Sequence, residues 1–348
     1  MYFASDNWAG AHPAIADRLS AAAAGFSAAY ATGDLDKAVQ RRFAEVFEHD
    51  VAVYYVGTGT AANALAMTAL ARPGGVAFCH RESHMVVDEC GAPEYFSGGA
   101  RLCPVDGAQG RMDPADLAAA IARYPAEIVH HGQPMAVSLT QASEIGTVHS
   151  LEHIRAIAAV AEDAGLPVHM DGARFANALV ALGCTPAEMT WKSGVDIVSF
   201  GGTKNGCWCA EALVVFEPEK FGQLPFLHKR AAQLFSKSRF ISAQFDAYLE
   251  GGLWLETARH ANAMAAKLAD RLRQSPSTRL AWEPQANEVF AIIARDKAAE
   301  MLGAGAAFHP WGKPYGYAEP VGAGEEIYRF VASFATTEEH VDKLAALL

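Results

Sequence analysis

Through the first two-thirds of the chain, short apolar runs of strand length alternate with longer amphipathic ones, and no other feature limits the fold as tightly. Val51-Ala52-Val53-Tyr54-Tyr55-Val56 leads into a glycine turn, Gly57-Thr58-Gly59-Thr60, and then into a helical stretch from Ala61 to Leu70. Further strand-length runs lie at 76–79, 127–130, 135–139, 167–170, 195–200 and 212–216, with helical periodicity near 113–123, 150–164 and 173–182. Parallel strands need a crossover to return the chain, so strands that alternate with helices predict an α/β fold. Its central sheet is expected to be mostly parallel, with helices on both faces. Ligands of such sheets bind beyond the carboxyl ends of the strands, which makes the residues just after each strand the candidates for chemistry.

The pattern changes after residue 227, where a long helical stretch runs to 273 with a break at Gly251-Gly252. Beyond it come a strand (289–294), a helix (296–302), a Gly/Pro/aromatic loop (303–324), a strand (327–334) and a closing helix opened by Thr336-Thr337-Glu338-Glu339. A chain of 348 residues exceeds what one core encloses. The division expected is a large domain over 1–250 and a small C-terminal α+β domain over 251–348. A net charge of -11 without a long basic run argues against nucleic acid as a partner. No stretch approaches the ~18 uncharged apolar residues of a membrane helix and the first residues lack a signal-peptide pattern, so no membrane role and a cytoplasmic location are expected. Six scattered cysteines suit a reducing compartment. Cys207 and Cys209 alternate as strand neighbours do, but structural zinc takes four ligands, so no metal is expected and core-lining thiols are the simpler reading.

Residues 199–206 read Ser-Phe-Gly-Gly-Thr-Lys-Asn-Gly, which places Lys204 among small and apolar neighbours just past a strand. One strand-helix-strand step earlier, Pro167-Val168-His169-Met170-Asp171 ends in a carboxylate. That spacing can bring both side chains to one rim of the sheet. An amine and a carboxylate meeting there suit pyridoxal 5'-phosphate: the amine forms a Schiff base with the aldehyde, and the anion keeps the pyridine nitrogen protonated. As part of a Schiff base, Lys204 is no longer an ordinary ammonium ion, and the glycines leave room for a ring. The turn at Gly57–Thr60 supplies a helix start whose free N–H groups, those of Gly59 and Thr60 among them, can hold a phosphate.

Taken in order, these segments resemble the fold-type I pyridoxal-phosphate enzymes, and within them the L-threonine aldolase and phenylserine aldolase group of the β-eliminating lyase family. The resemblance rests on Phe3-Ala4-Ser5-Asp6-Asn7, Gly57 to Asn63, Ser83-His84 to Cys90-Gly91, His169 to Phe175, Ser199 to Asn205 and Tyr328-Arg329-Phe330-Val331. It implies that Lys204 carries the coenzyme, that Asp171 faces the pyridine nitrogen, and that His84 stacks on the ring. It further implies that Gly59 and Thr60 bind the phosphate and that Arg174, Arg329 and Ser5 bind a substrate carboxylate. Lys229-Arg230 resembles a basic pair that reaches the phosphate of a neighbouring subunit. A homo-oligomer follows, a tetramer built as a dimer of dimers.

The activity implied is cleavage of L-β-hydroxy-α-amino acids, such as L-threonine, L-allo-threonine and phenylserine, to glycine and an aldehyde. Fixing the carboxylate sets which bond at Cα stands perpendicular to the ring, and that bond breaks. One departure bears on the base. Part of the family carries a histidine in a Thr-His-Asn segment, where this chain reads Thr140-Gln141-Ala142-Ser143-Glu144. The acceptor of the β-hydroxyl proton is then His84, His131 or a water held by one of them, and discrimination at the β-carbon is expected to be loose. β-Elimination or transamination on the same coenzyme is the alternative chemistry; a binding protein without turnover is the alternative outside enzymes.

Overall fold

Strands covered on both faces carry no polar alternation, and four strands of the central sheet are buried at every residue. They are β2 (Gly75–His80), β5 (Val168–Gly172), β6 (Ile197–Gly201) and β7 (Glu211–Val215). The computed structural model describes all 348 residues, Met1–Leu348. With β1 (Ala52–Val56), β3 (Arg101–Val105) and β4 (Gln133–Thr140), these strands form a seven-stranded sheet in the order β1-β7-β6-β5-β4-β2-β3. Pairing is parallel from β6 through β3, while β7 runs antiparallel to both β1 and β6.

One expected strand is absent and one strand forms where none was expected. Residues 127–130 form turns, with Val129 89% exposed. The strand here begins only at Gln133, as β4, which pairs with β2 and β5. β3 was not anticipated, since Arg101 and Pro104 interrupt its apolar character. It is an edge strand, where a residue without an N–H is tolerated.

The smaller sheet is antiparallel, in the order β10-β11-β9-β8, from β8 (Thr278–Leu280), β9 (Glu288–Ala294), β10 (His309–Trp311) and β11 (Glu325–Val331). Its two three-residue strands are too short to leave a pattern in the sequence. The N-terminus packs here too: Phe3 is fully buried in this core, donates its N–H to Ala307 O at 2.8 Å and accepts from Val331 N at 2.8 Å. A 22-residue helix, Leu253–Gln274, links the cores. Trp254 and Ala258 at its start lie in the large core, and Met264, Leu268 and Leu272 near its end lie in the small one. The expected break at Gly251-Gly252 is real, with φ of 61° and 80°, values that favour glycine.

Behind the carboxyl end of β6, Phe200 packs against Phe43, Phe47, Phe175, Phe245, Tyr248 and Trp254, with ring centroids 5.3–6.3 Å apart. Truncating one such fully buried aromatic costs about 3–5 kcal/mol. This packed wall holds the Gly201-Gly202-Thr203-Lys204 turn in place from below.

Candidate active site

β5 and β6 are neighbours in register, with Asp171 opposite Ser199, so the residues that follow both strands emerge on the same rim. Lys204 sits in a short 3-10 turn, Thr203–Asn205, three residues past the end of β6. Asn205 anchors that turn by donating to Tyr248 Oη at 2.7 Å and to Trp254 O at 2.8 Å. Lys204 and Asp171 line one cavity together with Asn7, Gly57, Thr58, Gly59, Thr60, Asn63, His84, Glu89, Glu144, Ala173, Thr203 and Glu211.

Asp171 is 3% exposed. It accepts from Asn63 Nδ2 at 2.9 Å and from the Ala173 N–H at 3.1 Å. The same Asn63 amide donates to Glu89 at 2.8 Å, so one side chain spaces two buried carboxylates. Glu89 in turn holds His84 Nδ1 at 2.9 Å. Burial pushes the Glu89 carboxyl up, and the hydrogen bond to Glu89 raises His84. Together the pair keeps a proton more readily than either group would alone.

The opposite wall comes from β7. Glu211 pairs across the ladder with Gly201 and with Val56, and takes the N–H groups of Gly202 and Thr203 at 3.3 Å each. Burial raises its pKa to about 7, against the pull of those hydrogen bonds and of the Lys204 charge. At the far end, Thr58 caps the helix Gly59–Ala69, its hydroxyl accepting from the Ala61 N–H at 3.1 Å. The Gly59 and Thr60 N–H groups are the first of that helix and have no intrahelical acceptor. No atom lies within 4 Å of where a Cβ on Gly59 would stand, so the turn leaves open space at the dipole's positive end.

The arginines differ from expectation. Arg174, 5% exposed, does not line the cavity: it holds Asp6 through Nε at 2.8 Å and Nη2 at 3.1 Å, and Glu288 through Nη1 at 3.3 Å. Burial opposes its charge, but Asp6 and Glu288 outweigh burial and raise its pKa. Asp6 is likewise held below the usual carboxylate range, burial being outweighed by Arg174 and Lys204. Arg174 is thus paired with two carboxylates of the chain itself. Arg329, on β11, is less committed. Its side chain is 15% exposed and stacks 4.5 Å over Trp311, with Glu288 at 3.7 Å and a buried Nε lacking any partner. Glu288, fully buried between the two arginines, has its pKa raised by burial to about 7, with Arg174 and Arg329 pulling the other way.

Three other expected residues stand apart. Ser5 caps the turn Asp6–Trp8, accepting from the Asn7 N–H at 3.1 Å, and faces an adjoining cavity with Tyr2, Trp8 and Ser333. Arg230 lines a separate apolar groove with Ala61, Ala64 and Leu65, on the flank of the helix that begins at Gly59. His131 is excluded from the site: it is exposed, in the turn before β4, at the amino end of the sheet. The residues unforeseen as side-chain contributors are Asn63, Glu89, Glu144, Glu211 and Glu288, together with Asp6.

The donor set fits a pyridoxal phosphate. A buried anion at Asp171 can face a ring nitrogen, a helix start with free N–H groups can face a phosphate, and an amine lies beside both. Asn63 Oδ1 and Glu89 Oε2 are also buried beside this cavity without partners.

The comparisons agree with this architecture. A low specificity L-threonine aldolase of Pseudomonas sp. (strain NCIMB 10558) is 36% identical over 344 residues, covering 99% of this chain and 96% of that protein. One from Pseudomonas aeruginosa is 37% identical over 344 residues, covering 99% and 95%. The structure of Leishmania major threonine aldolase superposes with a TM-score of 0.90 at 26% identity, covering 99% of this chain and 98% of that one. The fold is that of the fold-type I pyridoxal-phosphate enzymes. The beta-eliminating lyase family profile matches residues 2–296, and the chain belongs to that family.

Proposed function

We propose that this chain binds pyridoxal 5'-phosphate in the Lys204–Asp171 cavity and cleaves the Cα–Cβ bond of L-β-hydroxy-α-amino acids, yielding glycine and an aldehyde. The observation that carries the reading is the meeting of Lys204, Asp171 and His84 in one cavity whose far end is the free helix start at Gly59. When bound, the coenzyme supplies an electron-poor ring that takes up the electron pair of the bond that breaks.

The residues divide the work. Lys204 would hold the coenzyme through its amine. Asp171, fixed by Asn63 and Ala173, would face the ring nitrogen. His84, tied to Glu89, would cover the ring face. Arg329 takes the substrate carboxylate and thereby sets which bond at Cα stands perpendicular to the ring. Arg174 holds Asp6 and the Ser5 turn beside it, so Ser5 and Arg174 support the carboxylate end from behind. L-threonine, L-allo-threonine and phenylserine are the substrates of this reading, with loose selection at the β-carbon. The enzyme works in the cytoplasm as a homotetramer, a dimer of dimers, in which Arg230 reaches a neighbour's phosphate. No helix is long and apolar enough to cross a membrane.

The test is product analysis on the coenzyme-loaded protein across the stereoisomers of threonine and phenylserine. Glycine with acetaldehyde or benzaldehyde is expected, with both β-epimers consumed. A keto acid with ammonia instead would replace this reading by β-elimination, and coenzyme binding with no product from any isomer would leave a binding protein.

A further inference from the structure

Four acidic side chains line the cavity: Glu89, Glu144, Asp171 and Glu211. Three are accounted for by donors of the chain itself: Glu89 by Asn63 and His84, Asp171 by Asn63 and Ala173, Glu211 by Gly202 and Thr203. Glu144 has neither a hydrogen bond nor an ion pair, yet its charge is felt by His84 on one side and by Arg174 and Glu288 on the other. It lines the same cavity as His84, Asp171 and Lys204.

Glu144 is also held rather than loose. It occupies the tip of the loop after β4, whose base is closed by Gln141 Nε2 donating to His149 O at 2.9 Å and His149 N–H donating to Gln141 Oε1 at 2.9 Å. Ser143 N–H donates to Thr147 O and Gly146 N–H to Ser143 O, each at 2.9 Å, and Gly146 takes the φ of +70° that this turn requires. The small domain clamps the outer side, Trp282 Nε1 donating to Ile145 O at 3.0 Å. A half-buried carboxylate on a loop held this way, with no protein donor, is arranged to accept a hydrogen from what enters the cavity.

His84 is the other nearby group, but its Nδ1 is engaged with Glu89, and that contact favours the proton-bearing imidazole. Resting on the proposed cleavage of β-hydroxy-α-amino acids, we propose that Glu144 is the catalytic residue that accepts the β-hydroxyl proton of the substrate.

The step balances. The hydroxyl proton passes to a Glu144 carboxylate oxygen, and the O–H pair becomes the second bond of the aldehyde C=O. The Cα–Cβ pair stays with Cα, where a bound coenzyme would supply the electron sink. One proton then adds to Cα, so a turnover neither consumes nor releases acid.

The experiment compares Glu144→Gln and Glu144→Asp with the wild-type holoenzyme in three readouts. These are benzaldehyde release from phenylserine, exchange of the glycine Cα hydrogen for deuterium followed by NMR, and the coenzyme dissociation constant from its absorbance. Glycine has no β-hydroxyl, so exchange does not call on Glu144. Glu144→Gln is expected to lower cleavage relative to exchange by about 10²–10⁴, the usual worth of a general base, with KM and coenzyme binding little changed and Glu144→Asp recovering part of the loss. Cleavage kept within about threefold in Glu144→Gln, or cleavage and exchange falling in step, overturns the assignment. Wild-type protein that exchanges glycine but releases no aldehyde overturns the proposed function, and the Glu144 role with it.

Discussion

Asn63 is the residue whose removal should report most directly on the buried charges of the site. Its Nδ2 donates to Glu89 at 2.8 Å and to Asp171 at 2.9 Å, and Asn63 itself is 2% exposed. Asn63→Leu keeps the volume and the helix while deleting both donors. A hydrogen bond to a charged group is worth about 1.5–3 kcal/mol, and each carboxylate keeps one other partner, so the lower end applies: a loss of about 3 kcal/mol at pH 8. The sign of the pH dependence follows from Glu89. Burial and the Asp171 charge already push its pKa up, and the Asn63 bond is among the contacts that pull it down. Deleting that bond lifts the folded-state pKa further above the unfolded value. A carboxyl shifted that way contributes stability at low pH that disappears as pH rises through its folded-state value. The variant should accordingly be less impaired at acidic pH than at pH 8, because the stability that the raised Glu89 carboxyl contributes is present at low pH and lost as pH rises. Urea unfolding of coenzyme-free wild type and variant at pH 5 and pH 8 measures both values. Equal penalties at the two pH values would refute the bridging role, as would a penalty at pH 8 below about 1 kcal/mol.

Arg329→Lys loses the planar fork and the stacking on Trp311, so KM for the amino acid should rise about 10–100-fold with a smaller fall in kcat; an unchanged KM in initial-rate assays would remove Arg329 from carboxylate binding. Glu211→Gln tests the buried acid beside Lys204. Its pKa stands at about 7 against an ordinary 4.5, so the stability present below 4.5 is lost as pH rises through 7, by about 3 kcal/mol in all. The coenzyme-free variant should show a flatter stability profile over that window, and an identical slope in denaturation from pH 4.5 to 8 would contradict it.

Some of this was legible along the chain and some was not, for physical reasons. Asp171 and Lys204 could be found because each follows an apolar strand directly, and adjacent parallel strands must deliver their ends to one rim. The Gly57–Thr60 turn was legible for the same local reason. The network that tunes them was not: Asn63 is 108 positions from Asp171, and Arg174 is 168 positions from Asp6. Sequence spacing holds no signal for such pairs. Arg174 was legible as a cation just past β5, but its partners Asp6 and Glu288 lie far away in the chain. His131 went wrong through direction. It precedes β4 rather than following it, and eight residues of strand place it roughly 25 Å from the carboxyl rim.

The phosphate end raises a question of charge that one chain does not answer. A phosphate monoester carries about −1.5 to −2, and a helix start offsets roughly +0.5 of it. Lys204 is the only lysine or arginine lining the cavity, and its amine is committed to the coenzyme aldehyde in the proposed reaction. Arg230 lies on the other flank of the phosphate-facing helix, in the groove with Ala61 and Ala64, where it faces outward. A neighbouring subunit related by a two-fold axis could place its own Arg230 at this phosphate, and complementation decides whether it does. Lys204→Ala and Arg230→Ala are each expected to be nearly inactive as homo-oligomers. Co-expressed, a mixed pair contains one site that combines the intact Lys204 of one subunit with the intact Arg230 of the other. Random pairing should restore roughly a quarter of wild-type specific activity. If Arg230 serves its own chain, no mixed pair holds a complete site, and activity no higher than that of the parent variants would refute the shared phosphate site.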